Sequence, residues 1–587
     1  MIIGLSRRRA LRGRTNSGHW LLGAVAFACA SQAGAQSPTR PAPTIQTQPP
    51  VQLEQLEQEQ QRQSPVSVPR LSEDQGSMSA DQAPLFLLAA VEIQGATAID
   101  PGSLSDAYAP YIGLKLSQAD LLALAGSVTE RYRAAGYHLS RAIIPPQDLA
   151  GGRLRLQLVE GTIEEIRVAG EVTADFGLQE LLAPVAAERP SRLSTLERQL
   201  LLANERPGLR ITDTALDEIG TATGRFRLTV TAQSWRVFSA AGVDNTGSES
   251  VGPWQASASL AFNSIVVAGD SLVIAGSMVP NASKEMRFGR VAYDMPLGTS
   301  GVRVGVSASR SEVWPGDTRR QLRTYSQAET YEARIAYAPL LTQRHSLWLT
   351  AAIGISDVVE KDMFGKTFGD RIGLASLTAD YKLQATQDST TYVSATYRQG
   401  LGLIDPTPSS TSWLSRAGAS PHFSLVNASL THYQSLGRNW SVKLAAAGQL
   451  ASGPLLTSQQ FYLGGLSFGR GFHGGWISGD DAIAGSAELR YDYSRDLTFM
   501  KGIQLYAFME GGVARTRLQP GHLDQTLVSA GAGFRVFVND DLQVGLAIAK
   551  PIAENGLVRA NRGVSVLFSL SNILRFCPDR TEKFCRG

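Results

Sequence analysis

Cysteine is almost absent from this chain, with three in 587 residues. Cys29 lies in an N-terminal apolar stretch and Cys577 and Cys585 in the last eleven residues, which excludes a disulfide scaffold for the body of the molecule. Eight methionines against 57 glycines suit turns and strands better than a helical bundle. The formal net charge is only +3, so nothing in the charge balance implies a nucleic-acid partner. Beyond the N-terminus no run reaches the ~18 apolar residues that a membrane helix needs. The seven histidines are scattered without ligand spacing, so no metal site emerges. A phosphate-binding loop is also missing. Any transport by this chain therefore runs without nucleotide hydrolysis of its own, and no cofactor is called for.

What is present begins with a basic cluster (Arg7, Arg8, Arg9, Arg12, Arg14), an apolar core from Trp20 to Ala30 and small residues ending at Ala35. This predicts a secretory signal peptide over residues 1–35. Phe27 before Cys29 argues against lipoprotein processing. In the oxidising compartment that export implies, Cys577 and Cys585 are candidates to pair, the alternative being two free tail thiols. Residues 36–84 are rich in Pro, Gln, Glu and Ser. Within them, residues 51–63 read either as a short polar helix before a linker or as plain disorder.

Order is predicted from Leu85. Phe86–Gly95 reads as a strand, Ser103–Tyr111 and Ser117–Ala135 as helices, His138–Ile144 and Arg153–Val159 as strands. Ser117 and Asp120 form an acidic capping box, and Gly136 is a stop signal. The same β-α-α-β-β order then repeats, as Thr162–Val168, Phe176–Val185, Leu193–Asn204, Leu209–Thr214 and Arg225–Thr231. The two units, 85–160 and 161–233, are each too small for much core, and a short sheet leaves an edge open.

From Trp235 the pattern changes to segments of about ten residues that alternate apolar with small or polar residues. In Trp254–Asn263, one face is Trp, Ala, Ala, Leu, Phe and the other Gln, Ser, Ser, Ala, Asn. Such faces fit a transmembrane β-barrel with a wet lumen. A soluble sandwich shows the same alternation, but the 342 residues from Trp235 to Phe576 are too many for one. At ~21 residues per strand and connection they make about sixteen antiparallel strands, a barrel over 234–576 followed by a tail, 577–587.

One loop in this stretch is unusual: Leu463-Gly464-Gly465-Leu466-Ser467-Phe468-Gly469-Arg470-Gly471-Phe472. By itself it reads as a glycine-rich turn with a solvated arginine. Gly465–Gly469 formally matches the G-x-S-x-G hydrolase elbow, but that motif needs a following helix, and none is expected.

Taken together, the chain resembles the outer-membrane transporters of two-partner secretion, the haemolysin secretion/activation branch of the Omp85 superfamily. The most specific likeness is Tyr132, Gly136, Tyr137, Arg141, Pro145, Gln147 and Gly161, which are similar to that family's first periplasmic (POTRA) domain and its junction to the second. The segment Gly464, Gly465, Gly469, Arg470, Gly471, Phe472, with Asp480 and Glu488, resembles the family's lumen-loop motif, with Phe472 where Tyr is usual. The resemblance implies a membrane β-barrel preceded by two periplasmic α+β POTRA domains. It implies that the loop folds into the lumen, where Arg470 pairs with Glu510 of Phe508-Met509-Glu510-Gly511-Gly512. It further implies an exported partner, a large secreted β-rich exoprotein, and a pore plugged by the segment at 51–63. The runner-up is a barrel-assembly factor of the same superfamily, which more often carries three or more POTRA domains. A passive porin lacks the repeats at 85–232.

Overall fold

The computed structural model describes residues 68–69 and 83–576, less 150, 174–175, 222, 249, 281–284, 403–405, 410–412, 467, 498–499, 519, 540 and 556–562. The expected signal peptide, the segment at 51–63 read as helix or disorder, and the pair Cys577 and Cys585 lie outside the described residues.

The first unit contains β1 (Pro84–Leu87), β2 (Ala90–Gln94), β3 (Lys115–Ser117), α1 (Gln118–Ala134), β4 (Arg141–Ile143) and β5 (Arg153–Val159). Its sheet runs β2-β5-β4, with β2 parallel and β4 antiparallel to β5. The strand expected over Phe86–Gly95 is broken at Leu88 and Ala89. Leu88 exchanges hydrogen bonds with Leu114 and Gly113, while Ala89 and Ala90 donate to the Gly152 carbonyl, so the chain is shared between two sheets. The helix expected over Ser103–Tyr111 is instead two 3-10 turns flanking one α turn, Ser105–Tyr108. Pro110 has no N–H to return to the preceding turn. Ser117 caps α1 in a reciprocal box with Asp120. Leu121, Leu124, Val128 and Tyr132 form its buried face. The strand expected from His138 starts only at Arg141, because Tyr137 and Ser140 amides turn back to Tyr132 and Tyr137 carbonyls.

The second unit repeats the order with β6 (Thr162–Glu171), α2 (Leu178–Ala187), α3 (Leu193–Asn204), β7 (Leu209–Glu218) and β8 (Arg225–Ser234). Its sheet is β6-β8-β7, packed on Phe176, Leu182, Leu196, Leu200, Phe226 and Leu228. The helix expected from Phe176 begins two residues later, after Gly177 in the left-handed region (φ +59°).

The chain then enters a closed barrel of sixteen antiparallel strands between Val237 and Phe576. The last strand, Ser565–Phe576, pairs with the first, Val237–Asp244, placing Phe576 opposite Val237. Asn245 extends this seam with its side chain, accepting from Phe568 N at 2.7 Å and donating to the Val566 carbonyl at 2.8 Å. Leu260, Ile274, Val306, Leu377, Leu444 and Leu489 are exposed on the outer face, while Ser257, Ser259, Asn263, Gln449 and Ser529 are buried inside. An apolar-out, polar-in wall identifies a membrane barrel. The first three strands, on one flank of the seam, are short: 8 residues in Val237–Asp244, 9 in Gln255–Asn263 and 8 in Ser271–Met278. Across the barrel, Gly365–Thr386 has 22.

The second unit is fixed to the rim of the wall. Leu341 joins its core cluster. Arg198 of α3 donates to the Ser300 and Ala338 carbonyls at 2.8 and 2.7 Å, and Gln343 N donates to Glu197 at 2.6 Å.

Candidate functional site

The segment 452–480 follows the eleventh barrel strand, Trp440–Ala451, and so starts at the rim far from the two N-terminal units. It does not stay there. A short hairpin, Phe461–Leu463 with Ile477–Gly479, lays Leu463 and Ile477 against Ala484, Ala514 and Leu527 of the inner wall. Gly512 makes room for it, since a Cβ there would lie 2.9 Å from Leu463 Cδ1. Phe472 is buried in the same cluster, so its ring is used for packing and no hydroxyl is required.

The tip is a compact turn in which Gly465 N donates to the Gly469 and Phe472 carbonyls and Phe472 N to the Gly469 carbonyl. Gly464, Gly465 and Gly469 all have positive φ, a region that glycine enters without cost. Gly471 instead answers a close approach: a Cβ would lie 2.8 Å from Ser529 Cβ and 2.9 Å from Lys550 C.

This turn delivers Arg470 to the wall, on which the even-numbered residues of 482–492 and 504–514 face inward, opposite the exposed Leu489 and Met509. Arg470 Nε donates to Glu510 Oε2 at 3.0 Å, and its backbone N–H also donates to that carboxylate. Arg470 Nη1 donates to Glu488 Oε2 at 2.9 Å. Its guanidinium lies 3.4 Å over the Phe508 ring. Ser529 Oγ donates to Glu510 at 3.2 Å. The arginine is thus clamped by two nearly dehydrated carboxylates. Charge-assisted bonds of this kind strengthen where water is excluded. Glu488 also accepts from Arg490 Nε at 2.8 Å and Arg535 Nη1 at 3.0 Å, so three guanidiniums share one carboxylate.

Asp480 lies at the loop's root and does not touch Arg470. Fully buried, it receives both guanidinium arms of Arg416 and the amides of Leu455 and Arg517. Sequence reading missed Arg416, which lies in another surface loop with no motif around it. A cavity of about 170 Å³ lies beside the tip, lined by Arg470, Phe472 and His473 on one side and Asn245 and Ser565 of the seam on the other.

The POTRA-like residues gather at the joint between the two units. Gly136 (φ +95°) ends α1, and its carbonyl accepts Leu193 N of α3 at 2.9 Å. Tyr137 receives Arg192 both at its hydroxyl, 3.1 Å, and over its ring. Arg141 donates twice to Glu218 of β7, at 2.8 and 2.9 Å. The Gly161 carbonyl accepts Ser191 N. Gln147 acts differently, its amide bonding Arg155 N and O at 2.7 Å as a strand would and accompanying Pro145, whose carbonyl it also meets. Tyr132 donates to Glu160 at 2.9 Å. Glu160 also accepts the amides of Thr97 and Ala98, at 2.7 and 2.8 Å. Burial pushes the Glu160 carboxyl upward, but these donors outweigh it and hold the group below its ordinary value. Burial likewise raises Tyr132.

With this geometry in hand, comparison with known proteins is decisive. The family model for haemolysin secretion/activation proteins of the ShlB/FhaC/HecB type matches residues 225–536, and a ShlB-type POTRA domain matches 86–161. The chain belongs to this family. HuxB, a heme/hemopexin transporter protein of Haemophilus influenzae, is 23% identical over 458 residues, 76% of this chain and 80% of that one. The outer membrane transporter CdiB of Escherichia coli is 29% identical over 237 residues, 38% of this chain and 39% of its own. The solved structure of E. coli CdiB superposes with a TM-score of 0.72 at 19% identity, covering 89% of this chain and 97% of that one. The protein is therefore a two-partner secretion transporter of the outer membrane with its POTRA region in the periplasm.

Proposed function

We propose that the POTRA units capture an unfolded, large, β-rich exoprotein in the periplasm and that the Arg470 loop controls its passage through the lumen. The observation that carries this reading is the double clamp on Arg470. A loop rooted at the outer rim is held against the inner wall by Glu488 and Glu510, inside the lumen that an exported chain would cross. The glycines serve this end, letting the tip turn tightly and lie flat on the wall. Capture is supported by β6 and β7, each ten residues long and each the outer strand of its sheet. An outer strand offers backbone donors and acceptors to an extended chain irrespective of its sequence. The reading assigns the chain no catalysis and no nucleotide. It assigns residues 51–63 the role of plug.

Arg470→Ala is expected to cut partner secretion at least about ten-fold, while heat-modifiable migration shows that the barrel still assembles. Normal secretion by this variant would sink the role given to the loop. Deleting residues 36–64 is expected to raise conductance in planar bilayers, and unchanged conductance rejects the plug. The partner itself is sought in the neighbouring gene, expected to encode a large secreted protein with β-helical repeats.

A further inference from the structure

Below the Arg470 clamp, toward the periplasm, five neighbouring strands each place one aromatic or cationic residue on the inner wall. In order around the wall these are Tyr433, Lys443, Arg490, Tyr506 and Arg535, and Tyr392 on the next strand meets Tyr433 edge-on at 6.2 Å. Their inward direction follows from the exposed Leu444, Leu489, Leu505 and Phe534, which stand one residue away on the lipid face. Register fixes their common level, since Tyr433 pairs with Lys443, Ser441 beside it with Arg490, and Arg490 with Tyr506. Cations lie over rings along the band: Lys443 at 5.8 Å and Arg490 at 5.5 Å over Tyr433, and Arg535 at 4.0 Å over Tyr506. Space for it is built in, because a Cβ on Gly533 would lie 2.8 Å from the Tyr506 hydroxyl.

The charges do not cancel. Lys443, Arg470, Arg490 and Arg535 face Glu488 and Glu510, four cations against two carboxylates, and Lys443 has no salt-bridge partner among the described residues. Asp492, nearer the entrance, receives the Gln504 amide at 2.7 Å. A partly dehydrated band with surplus positive charge attracts carboxylates, and its rings offer flat surfaces against which an extended backbone slides.

We propose that this band is a binding track for acidic, extended segments of the exported polypeptide, an inner-wall surface they meet before the Arg470 loop. The proposal rests on the export reading but is tested without the partner. Fluorescent octaglutamate and octalysine are titrated against the full chain in detergent at low salt, by anisotropy. Octaglutamate is expected to bind at least about ten-fold more tightly than octalysine, and to weaken as salt is raised. Lys443→Gln removes a charge that holds no carboxylate and is expected to weaken octaglutamate about five-fold, with Tyr433→Leu weakening it as well. Lys361→Gln, at the outer end of another strand, changes nothing. Equal binding of the two peptides, or octaglutamate binding indifferent to Lys443→Gln and Tyr433→Leu, overturns the proposal. Failure of Arg470→Ala to impair secretion would instead strike the export role of the loop and leave this result standing.

Discussion

At the residue scale, Glu488 carries more of the lumen's electrostatics than Glu510, because Arg470, Arg490 and Arg535 all converge on it. Removing its charge leaves three guanidiniums facing one another at a site where it is itself almost fully buried. Breaking a buried ion pair costs on the order of 3 kcal/mol. Glu488→Gln is accordingly expected to lower the temperature of heat-modified migration more than Glu510→Gln does, and Arg490→Gln added to it should restore part of the loss. The Arg470–Glu510 contact was legible only through the family resemblance of two short segments, the loop and the wall stretch around Glu510. Glu488 was read only as a neighbour of the loop, since nothing local in the sequence records that three arginines from different strands share it. Glu160 gives a second residue-scale prediction. Its folded carboxyl lies below the unfolded value, so its stabilisation is complete at neutral pH and is lost as pH falls through the folded value, below the ordinary glutamate range. Thermal unfolding followed from pH 3 to pH 7 should show this acid-limb loss in the wild type and a flattened limb in Glu160→Gln.

Among elements, the joint between the periplasmic units combines a side-chain ion pair with backbone hydrogen bonds. Arg141 spans from β4 to β7, and Gly136 and Gly161 offer carbonyls to the segment that opens α3. Arg141→Ala is expected to raise amide hydrogen exchange at Ser191 and Leu193 several-fold while leaving α1 unchanged, because exchange reports local opening rather than global unfolding. Exchange unaltered at those two amides would show that the pair is not what holds the units together. The longer elements were readable because each has one buried face: α1 and α3 by helical period, β5 and β8 by alternation. Short ones were not. The expected helix at Ser103–Tyr111 broke at a proline, and the Phe86–Gly95 strand split because two sheets compete for its backbone, a tertiary choice invisible to local pattern. The clasp of Asp480 by Arg416 was hidden for the same reason, its two halves lying 64 residues apart.

On the scale of the whole molecule, sixteen strands could be counted from chain length and strand period alone, and closure of the first strand on the last accounts for the barrel's single seam. Sequence length could not show that the wall is uneven. An eight-residue strand tilted about 45° spans about 19 Å, whereas one of 22 residues spans about 51 Å. The apolar band of such barrels is about 25 Å tall, so the first three strands, on one flank of the seam, fall short of it while the opposite side projects well past it. Lipid meeting the low side must thin to cover it, and hydrophobic mismatch has a cost that grows with bilayer thickness. The protein should therefore fold faster into vesicles of twelve-carbon lipids than into those of eighteen-carbon lipids, and lengthening Val237–Asp244 and Ser565–Phe576 together by two residues should narrow that difference. The seam bridged by Asn245 thus also marks where the membrane is most strained: this transporter carries its own compass bearing in the bilayer, a soft flank and a tall one.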